Sequence, residues 1–115
     1  MTDRYPVFSA WMKQQGFKPE YKFHATRRWR MDYAHLGPPM IYLEVEGGHW
    51  VKGGGGHTRG KARIDDIEKQ NAAVLAGWIP IICTPDDIKK GLAHQLVEKA
   101  LIELDPFKKE TPQSG

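Results

Sequence analysis

Apolar residues recur along the chain with two periods, one typical of helices and one typical of strands. Phe8, Trp11 and Met12 stand at helical spacing within 6–15, and Gly16 is placed to end that helix. Three segments then alternate apolar with polar residues and are joined by short turns, which predicts an antiparallel meander. We expect these strands at about 20–24, 29–34 and 40–46.

The second half of the chain predicts a helix, a strand and a further helix. The first helix is expected over about 62–76, with an inner stripe of Ile64, Ile67, Asn71, Val74 and Leu75. A short buried strand is expected over 78–83, and the last helix is expected to start at Thr84 and to run to about 104 on Ile88, Leu92, Leu96 and Ala100.

The order α-β-β-β-α-β-α predicts an α/β fold with a mixed central sheet flanked by helices. At 115 residues the chain is expected to form one domain, over 1–105, followed by a flexible polar tail over 106–115.

The charge of the chain is only mildly basic, but it is clustered. The net charge of +3, from 17 Lys and Arg against 14 Asp and Glu, permits a phosphate-bearing partner without requiring one. Two stretches, 24–30 and 52–63, hold a large share of the positive charge. They are either solvated loops or contacts to a DNA backbone, and the candidate DNA-binding residues are Arg27, Arg28, Arg30, Lys52, His57, Arg59 and Lys61.

The single cysteine excludes an intramolecular disulfide and a CxxC metal site, which suits a reducing compartment. No window holds 18 apolar residues, and the first residues lack the apolar run of a signal peptide. We therefore expect a cytoplasmic protein without a membrane partner.

Two glutamates share one face of the predicted third strand, in the segment YLEVEGGHW. Glu44 and Glu46 repel each other there unless a positive charge lies between them. If the second and third strands pair, Asp32 comes within reach of Glu44. Three carboxylates on adjacent strands indicate a hard divalent cation such as Mg²⁺, which can lower the pKa of a bound water. The alternative is a half-solvated sheet face whose acids pair with Arg30 or Lys22.

The chain resembles the PD-(D/E)XK nuclease superfamily in the order of five segments: EYKFHATRRWRMDYA, IYLEVEGG, HTRG, DDIEKQNAAVLAGW and IICT. Within it, the chain is similar to small phage and prophage endonuclease-like proteins related in pattern to the very-short-patch-repair group. The resemblance covers about Glu20 to Thr84. It implies a restriction-endonuclease-like αβββαβ core, a Mg²⁺ or Mn²⁺ cofactor, DNA as the partner, and a phage-encoded enzyme in a bacterial cytoplasm.

The same resemblance assigns roles to individual residues. It makes Asp32 and Glu44 metal-binding acids and Val45 a further ligand through its main-chain carbonyl. Glu46 stands where many members have a lysine, so it is expected to be a third acid of the site, with the positive group supplied from elsewhere. Lys69 is our candidate for that group. Glu20 matches an acidic position that in some members reaches the metal or a metal-bound water.

Three further polar residues have both a functional and a structural interpretation. His57 follows the glycine run in a predicted loop, where it is either a general acid or base or a solvent-exposed imidazole. Arg59 either clamps a phosphate oxygen or serves solubility. Asn71, on the expected inner stripe, is assigned a structural role in holding the loop.

Together these residues predict a metal-dependent DNA endonuclease that hydrolyses phosphodiester bonds with a metal-activated water. The alternative is a catalytically silent DNA-binding module on the same fold, although such a module gains nothing from three carboxylates that repel phosphates. The sequence leaves open whether the substrate is a duplex, a junction, a flap or a mismatch. It is compatible with a homodimer without requiring one.

Overall fold

The computed structural model describes residues 3–47 and 56–107, and within α2 it describes side chains from Gly60 onward. The elements, in chain order, are α1 Pro6–Gln14, β1 Phe17–Lys22, β2 Arg30–His35, β3 Ile41–Val45, α2 Gly56–Leu75, β4 Ile79–Cys83, α3 Pro85–Lys89 and α4 Leu92–Glu103. The predicted α/β class is confirmed.

The four strands form one mixed sheet in the order β1-β2-β3-β4. The first three are antiparallel neighbours, and β4 pairs parallel with β3 after the crossover through α2. At the start of the sheet, Gly16 adopts φ +93°, a conformation that glycine reaches without a steric penalty and that turns the chain from α1 directly into β1. The predicted meander and the mixed sheet are therefore both present.

The larger part of the core lies on one face of the sheet, under α1 and α4. Inward side chains of β2, β3 and β4 meet both helices there: the buried residues are Phe8, Met12, Phe17, Tyr33, Ile41, Leu43, Ile81, Cys83, Ala93, Val97 and Ala100. The Ser9 and Tyr33 hydroxyls are hydrogen-bonded to each other at 2.6 Å. On the same face, His94 Nδ1 is buried without a hydrogen-bond partner among the described residues. Burial raises the pKa of the Cys83 thiol to about 12.

The other face of the sheet has a smaller core, which lies under α2. Its buried residues are Met31, Ala34, Tyr42, Ala73 and Trp78, and of the described side chains of α2 only Ala73 belongs to it. The inner stripe expected for this helix is therefore wrong. Its apolar members Ile64, Ile67, Val74 and Leu75 are exposed, and so is Asn71.

Three element boundaries also differ from expectation. The first strand starts at Phe17, because Phe17 to Pro19 extend the ladder with β2. The helix α2 starts at Gly56, since glycine costs only about 1 kcal/mol in a helix and does not forbid one. The last helix is two helices, divided at Gly91 with φ +80°. This division turns α4 so that Ala93 and Val97 are buried, while Leu92 and Leu96 are exposed.

The start of α3 follows the sequence closely. The Thr84 side chain accepts a hydrogen bond from the Asp87 N–H at 3.1 Å, and the Asp87 carboxylate accepts one from the Thr84 N–H at 2.9 Å. This capping box fixes the chain direction immediately after β4. No helix in the described part of the chain is long and apolar enough to cross a membrane.

Candidate active site

The site lies where β2 and β3 separate. Their ladder of paired residues runs from His35–Ile41 to Tyr33–Leu43 and stops there. At the next position Asp32 and Glu44 connect the strands through their side chains. The Asp32 N–H donates to Glu44 Oε2 at 2.8 Å, and the Val45 N–H donates to Asp32 Oδ2 at 2.8 Å. Backbone N–H groups thus hold both carboxylates at the point where the strands diverge. The two acids lie close together, as the sequence predicted.

Lys69 reaches this pair from α2. Its ammonium nitrogen contacts Glu44 Oε1, and both side chains are 13 % exposed. Lys69 lies one turn before Ala73, the buried contact of α2, so the same side of the helix carries the packing residue and the positive charge. The sequence assigned Lys69 to the site as a replacement for a strand lysine, and the structure places it beside Glu44.

Burial opposes the negative charge of both acids. It raises the pKa of Glu44, helped by the nearby Asp32 charge and opposed by Lys69. Burial also raises the pKa of Asp32, while the Val45 hydrogen bond and Lys69 act in the other direction and Glu46 adds to the rise. Two carboxylates whose charged forms are disfavoured by burial thus share one lysine.

Glu46 directly follows β3 and lies close enough to Asp32 for its charge to raise the Asp32 pKa, while Glu20 lines the same cavity as Asp32. The Glu46 N–H donates to the Cys83 carbonyl at 2.8 Å, which extends the β3–β4 pairing by one residue. Glu20 has φ +53° within β1, and its carboxylate lies 4.0 Å from Arg30 Nη1. Among the described side chains, those of 3–47 and 60–107, no three from His, Cys, Asp or Glu are close enough together to hold a metal ion.

The donors present nevertheless suit a hard cation. Mg²⁺ takes one or two carboxylates and fills its other positions with water or carbonyl oxygens, and each carboxylate has about four lone-pair directions. Asp32 and Glu44 therefore retain acceptor capacity beyond the hydrogen bonds described above. Val45 lies against Asp32 and lines the same cavity. The carboxylates of Asp32 and Glu44 and the main-chain carbonyl of Val45 are thus the donors that suit Mg²⁺.

A cavity of about 570 Å³ opens beside Asp32. Glu20, Asp32 and Val45 line it from the sheet, while Arg4 and Tyr5 line it from the segment before α1, and Arg30 adds a second guanidinium. The sequence interpretation missed Arg4 and Tyr5, because no periodicity links a residue before the first helix to the second strand. The only local signal was Pro6, which marks the helix start beside them.

The basic residues predicted to bind DNA separate into two groups. Arg27 is engaged internally: its guanidinium lies 2.7 Å from Asp65, 3.4 Å from Glu68 and 3.9 Å above the Trp29 ring. Arg30 also has an acidic partner, Glu20, at 4.0 Å, and its side chain is 45 % exposed against 44 % for Arg27. Arg28 and Lys61 are exposed.

The remaining predicted contacts lie wholly or partly beyond what the structure describes. His57 and Arg59 belong to the backbone of the first turns of α2 rather than to the predicted loop, and their side chains lie outside the described part. Lys52 lies outside the described residues altogether, as does most of the predicted 106–115 tail. Asn71 is exposed on α2, so its assigned role as a buried structural amide is wrong.

Comparison with known protein families, with curated proteins and with solved structures finds no match to this chain.

Proposed function

We propose that this protein is a Mg²⁺- or Mn²⁺-dependent DNA endonuclease with a restriction-endonuclease-like core. The observation that carries the proposal is the Asp32–Glu44–Lys69 arrangement at the splayed ends of β2 and β3. A purely structural ion pair needs one acid for one lysine. Here a second carboxylate, with its pKa also raised by burial, is fixed beside the pair at the edge of a cavity.

The arrangement suits hydrolysis of a phosphodiester. A divalent ion bound to Asp32, Glu44 and the Val45 carbonyl would lower the pKa of a water and neutralise charge on the phosphate. The water oxygen forms a bond to phosphorus and loses a proton to solvent. The bond from phosphorus to the leaving oxygen breaks, and that oxygen takes up a proton from solvent. Lys69 holds the attacking water or the developing charge, because its ammonium already lies at Glu44.

The cavity provides a place for the DNA strand beside the scissile bond. Arg4 and Arg30 both line this cavity, and their guanidinium groups can bind phosphate oxygens there. The exposed Arg28 and Lys61 extend the positive surface from the β1–β2 bend to α2. This surface is compatible with a structure-selective enzyme that acts on a junction, flap or mismatch.

The test is cleavage of labelled duplex, single-stranded, flap, mismatched and four-way-junction DNA with Mg²⁺, with Mn²⁺ and with EDTA. We expect cleavage with either ion and none with EDTA. Asp32→Asn should reduce the rate on the order of 10³-fold, which corresponds to several kcal/mol of lost stabilisation. It should leave DNA binding intact or tighter, because one negative charge near the phosphate is removed.

Asp86→Asn provides the matched control, since Asp86 is exposed on α3 and paired with Lys90. Its rate should equal that of the wild type. Binding of DNA without cleavage under every condition would instead identify a catalytically silent module, and a fully active Asp32→Asn would refute the assigned site.

A further inference from the structure

The helix α2 has two different sides, and the apolar one faces away from its own sheet. At about 100° per residue, Asp66, Lys69 and Ala73 lie on one side, and Ile64, Ile67 and Val74 lie on the opposite side. The outward side chains are substantially exposed, from 46 % at Ile67 to 59 % at Ile64. Leu75, at the end of the same stripe, is 88 % exposed.

This arrangement is unusual for a helix on a sheet. Helices in proteins owe most of their stability to the packing of their apolar side, and surface helices normally turn that side inward. Here the inner side of α2 carries Asp66, Lys69 and Ala73, and Lys69 belongs to the candidate active site. The apolar residues consequently form an outer stripe, which we define as Ile64, Ile67, Asn71, Val74 and Leu75.

The outer stripe continues onto the edge of the sheet. The strand β4 is the edge strand, and Ile82 is paired in register with Glu44, which contacts Lys69 of α2. Ile82 therefore lies on the same side of the sheet as α2, and it is 45 % exposed. Ile82 thus adds one more exposed apolar side chain to those of the stripe.

The connection formed by residues 48–55 is too short to reach the C-terminal end of this apolar surface, at Val74 and Leu75. Residues 48–55 are tethered at Gly47 and Gly56, so they span at most about 32 Å when fully extended. Leu75 lies about 28 Å along the helix from Gly56, and Gly47 follows β3 at the end of the sheet away from Ile79, where the chain enters β4 after α2. Residues 108–115, KKETPQSG, contain no large apolar side chain.

The spacing of the stripe fits a second helix of the same kind. Ile64, Ile67, Asn71 and Val74 follow one another at intervals of three, four and three residues, which is the a/d pattern of paired helices. Asn71 occupies an a position, where a single asparagine fixes the register and number of helices at a cost in stability. In a dimer, Asn71 would therefore fix the register of the paired helices. It has no such role in a monomer.

The edge strand β4 favours helix–helix contact between two copies over pairing of their sheets edge to edge. The Ile79 N–H donates to the Met40 carbonyl, so the backbone groups of Pro80 and Ile82 face the open edge. Proline has no N–H, and its presence on an edge strand opposes pairing with another strand. Two copies are therefore expected to meet through the side chains of α2 and not through the edges of their sheets.

We propose that the outer stripe of α2, with Ile82, is the interface of a symmetric homodimer. The two copies bring the same surface together across a two-fold axis, so that each α2 packs against its counterpart. The stripe extends over about 16 Å of helix, which with Ile82 places the interface near the lower end of the range for specific complexes and the dissociation constant in the micromolar range. This inference does not depend on the proposed enzymatic activity.

The test is sedimentation velocity over a concentration series from low to several hundred micromolar. The wild type should shift reversibly from 13.1 kDa to twice that mass. Ile67→Glu and Leu75→Glu should each weaken the dimer at least about 100-fold, because each places a charge in the apolar contact. Asn71→Ile should tighten association, since it replaces the polar a residue.

Ile102→Glu is the matched control, because Ile102 is equally apolar and 67 % exposed but lies on α4. It should leave the dimer unchanged. Circular dichroism and thermal unfolding establish that each variant is folded, which surface positions allow. A wild type that stays at 13.1 kDa throughout, or a dimer that survives both glutamate variants, overturns the proposal.

Discussion

The two faces of the central sheet are built on different physical principles. Under α1 and α4, side chains such as Leu43 and Val97 are fully buried, and contacts between apolar groups hold helices to strands. Under α2, the helix meets the strands through Ala73 and through the Lys69–Glu44 ion pair. One face therefore supplies most of the hydrophobic stabilisation, and the other supplies charge at a fixed position.

The difference between the two faces shows that a buried ion pair needs a stable apolar core elsewhere in the molecule. Burying two carboxylates and a lysine costs free energy unless partners compensate, so this face cannot be the main source of stability. The chain can tolerate that cost because the apolar face is complete without α2. The apolar core under α1 and α4 and the Lys69–Glu44 pair thus lie on opposite faces of the sheet. Asp32 belongs to both sides, because it is hydrogen-bonded to Glu44 and also lines the cavity beside Tyr33. The following predictions test how far the two contributions are separate.

The largest expected effect on stability comes from the apolar face. Leu43→Ala removes a fully buried side chain that packs under α1 and α4, so it should lower the free energy of unfolding by about 2–5 kcal/mol. Equilibrium unfolding in urea measures this loss. Ile102→Ala, at an exposed position, should change the stability by no more than about 0.5 kcal/mol.

If the faces are separate, the folded fraction of Leu43→Ala should cleave DNA at nearly the wild-type rate. A large loss of activity in the folded protein would show that the apolar face also positions the carboxylates.

The second prediction concerns Lys69 on the charged face. Lys69→Ala should reduce the single-turnover cleavage rate on the order of 10²-fold, because the variant loses the cation that lies at Glu44. Single-turnover kinetics over a Mg²⁺ titration measure this effect. Lys99→Ala, an exposed change on α4, should leave the rate unaltered. If Lys69→Ala keeps the wild-type rate at every Mg²⁺ concentration, the metal ion and not Lys69 positions the attacking water.

The third prediction is a pH dependence of stability. Burial raises the folded-state pKa of Asp32 above its ordinary 3.8, so the folded state binds the proton more tightly than the unfolded state does. Stability attributable to this group is therefore present below pH 3.8 and is lost as the pH rises through the raised folded-state value. Asp32→Asn cannot ionise, and its amide oxygen can still accept from the Val45 N–H.

Urea unfolding of wild type and Asp32→Asn across this pH range tests the sign. The variant should match the wild type in acid and exceed it near neutral pH. Added Mg²⁺ should stabilise the wild type by about 1.4 kcal/mol at ten times its dissociation constant and should stabilise the variant far less. A variant that is less stable than the wild type at neutral pH would mean that Asp32 contributes net stability as a carboxylate.

The smallest expected effect is on the salt dependence of DNA binding. Arg30→Ala should lower the log–log slope of affinity against salt concentration by about one if Arg30 contacts one phosphate. Arg27→Ala should change this slope less, because Asp65 and Glu68 already neutralise Arg27. Fluorescence anisotropy at several salt concentrations compares the two variants. Equal slopes for Arg30→Ala and the wild type would place Arg30 outside the DNA contact.

Much of the strand topology was predictable because strand alternation depends on local sequence. The alternation of Ile41, Leu43 and Val45, with a short turn before it, predicts an antiparallel meander, and Thr84 with Pro85 specifies a helix start. In β2 the expected alternation is wrong, because Met31 and Tyr33 belong to the cores on opposite faces. The approach of Asp32 to Glu44 follows from that meander. Lys69 was reached through resemblance rather than periodicity, because no local pattern relates a helix lysine to a strand acid 25 residues away.

The orientation of α2 was not predictable by the same means. A helical period shows that Ile64, Ile67 and Val74 share one side, but it does not state which partner covers that side. The rule that the apolar side faces the nearest sheet fails here, because electrostatic groups occupy the inner position. The position of Arg4 was also out of reach, since it depends on how α1 packs over the strands.

The buried thiol of Cys83 makes opening of the sheet measurable without mutation. Cys83 is the only cysteine of the chain, it is 2 % exposed, and its pKa of about 12 leaves almost no thiolate at neutral pH in the closed protein. A thiol reagent can therefore modify the chain only through conformations in which β4 has separated from α4. Slowing of that modification by Mg²⁺ or by DNA would report how strongly each ligand keeps β4 packed against α4.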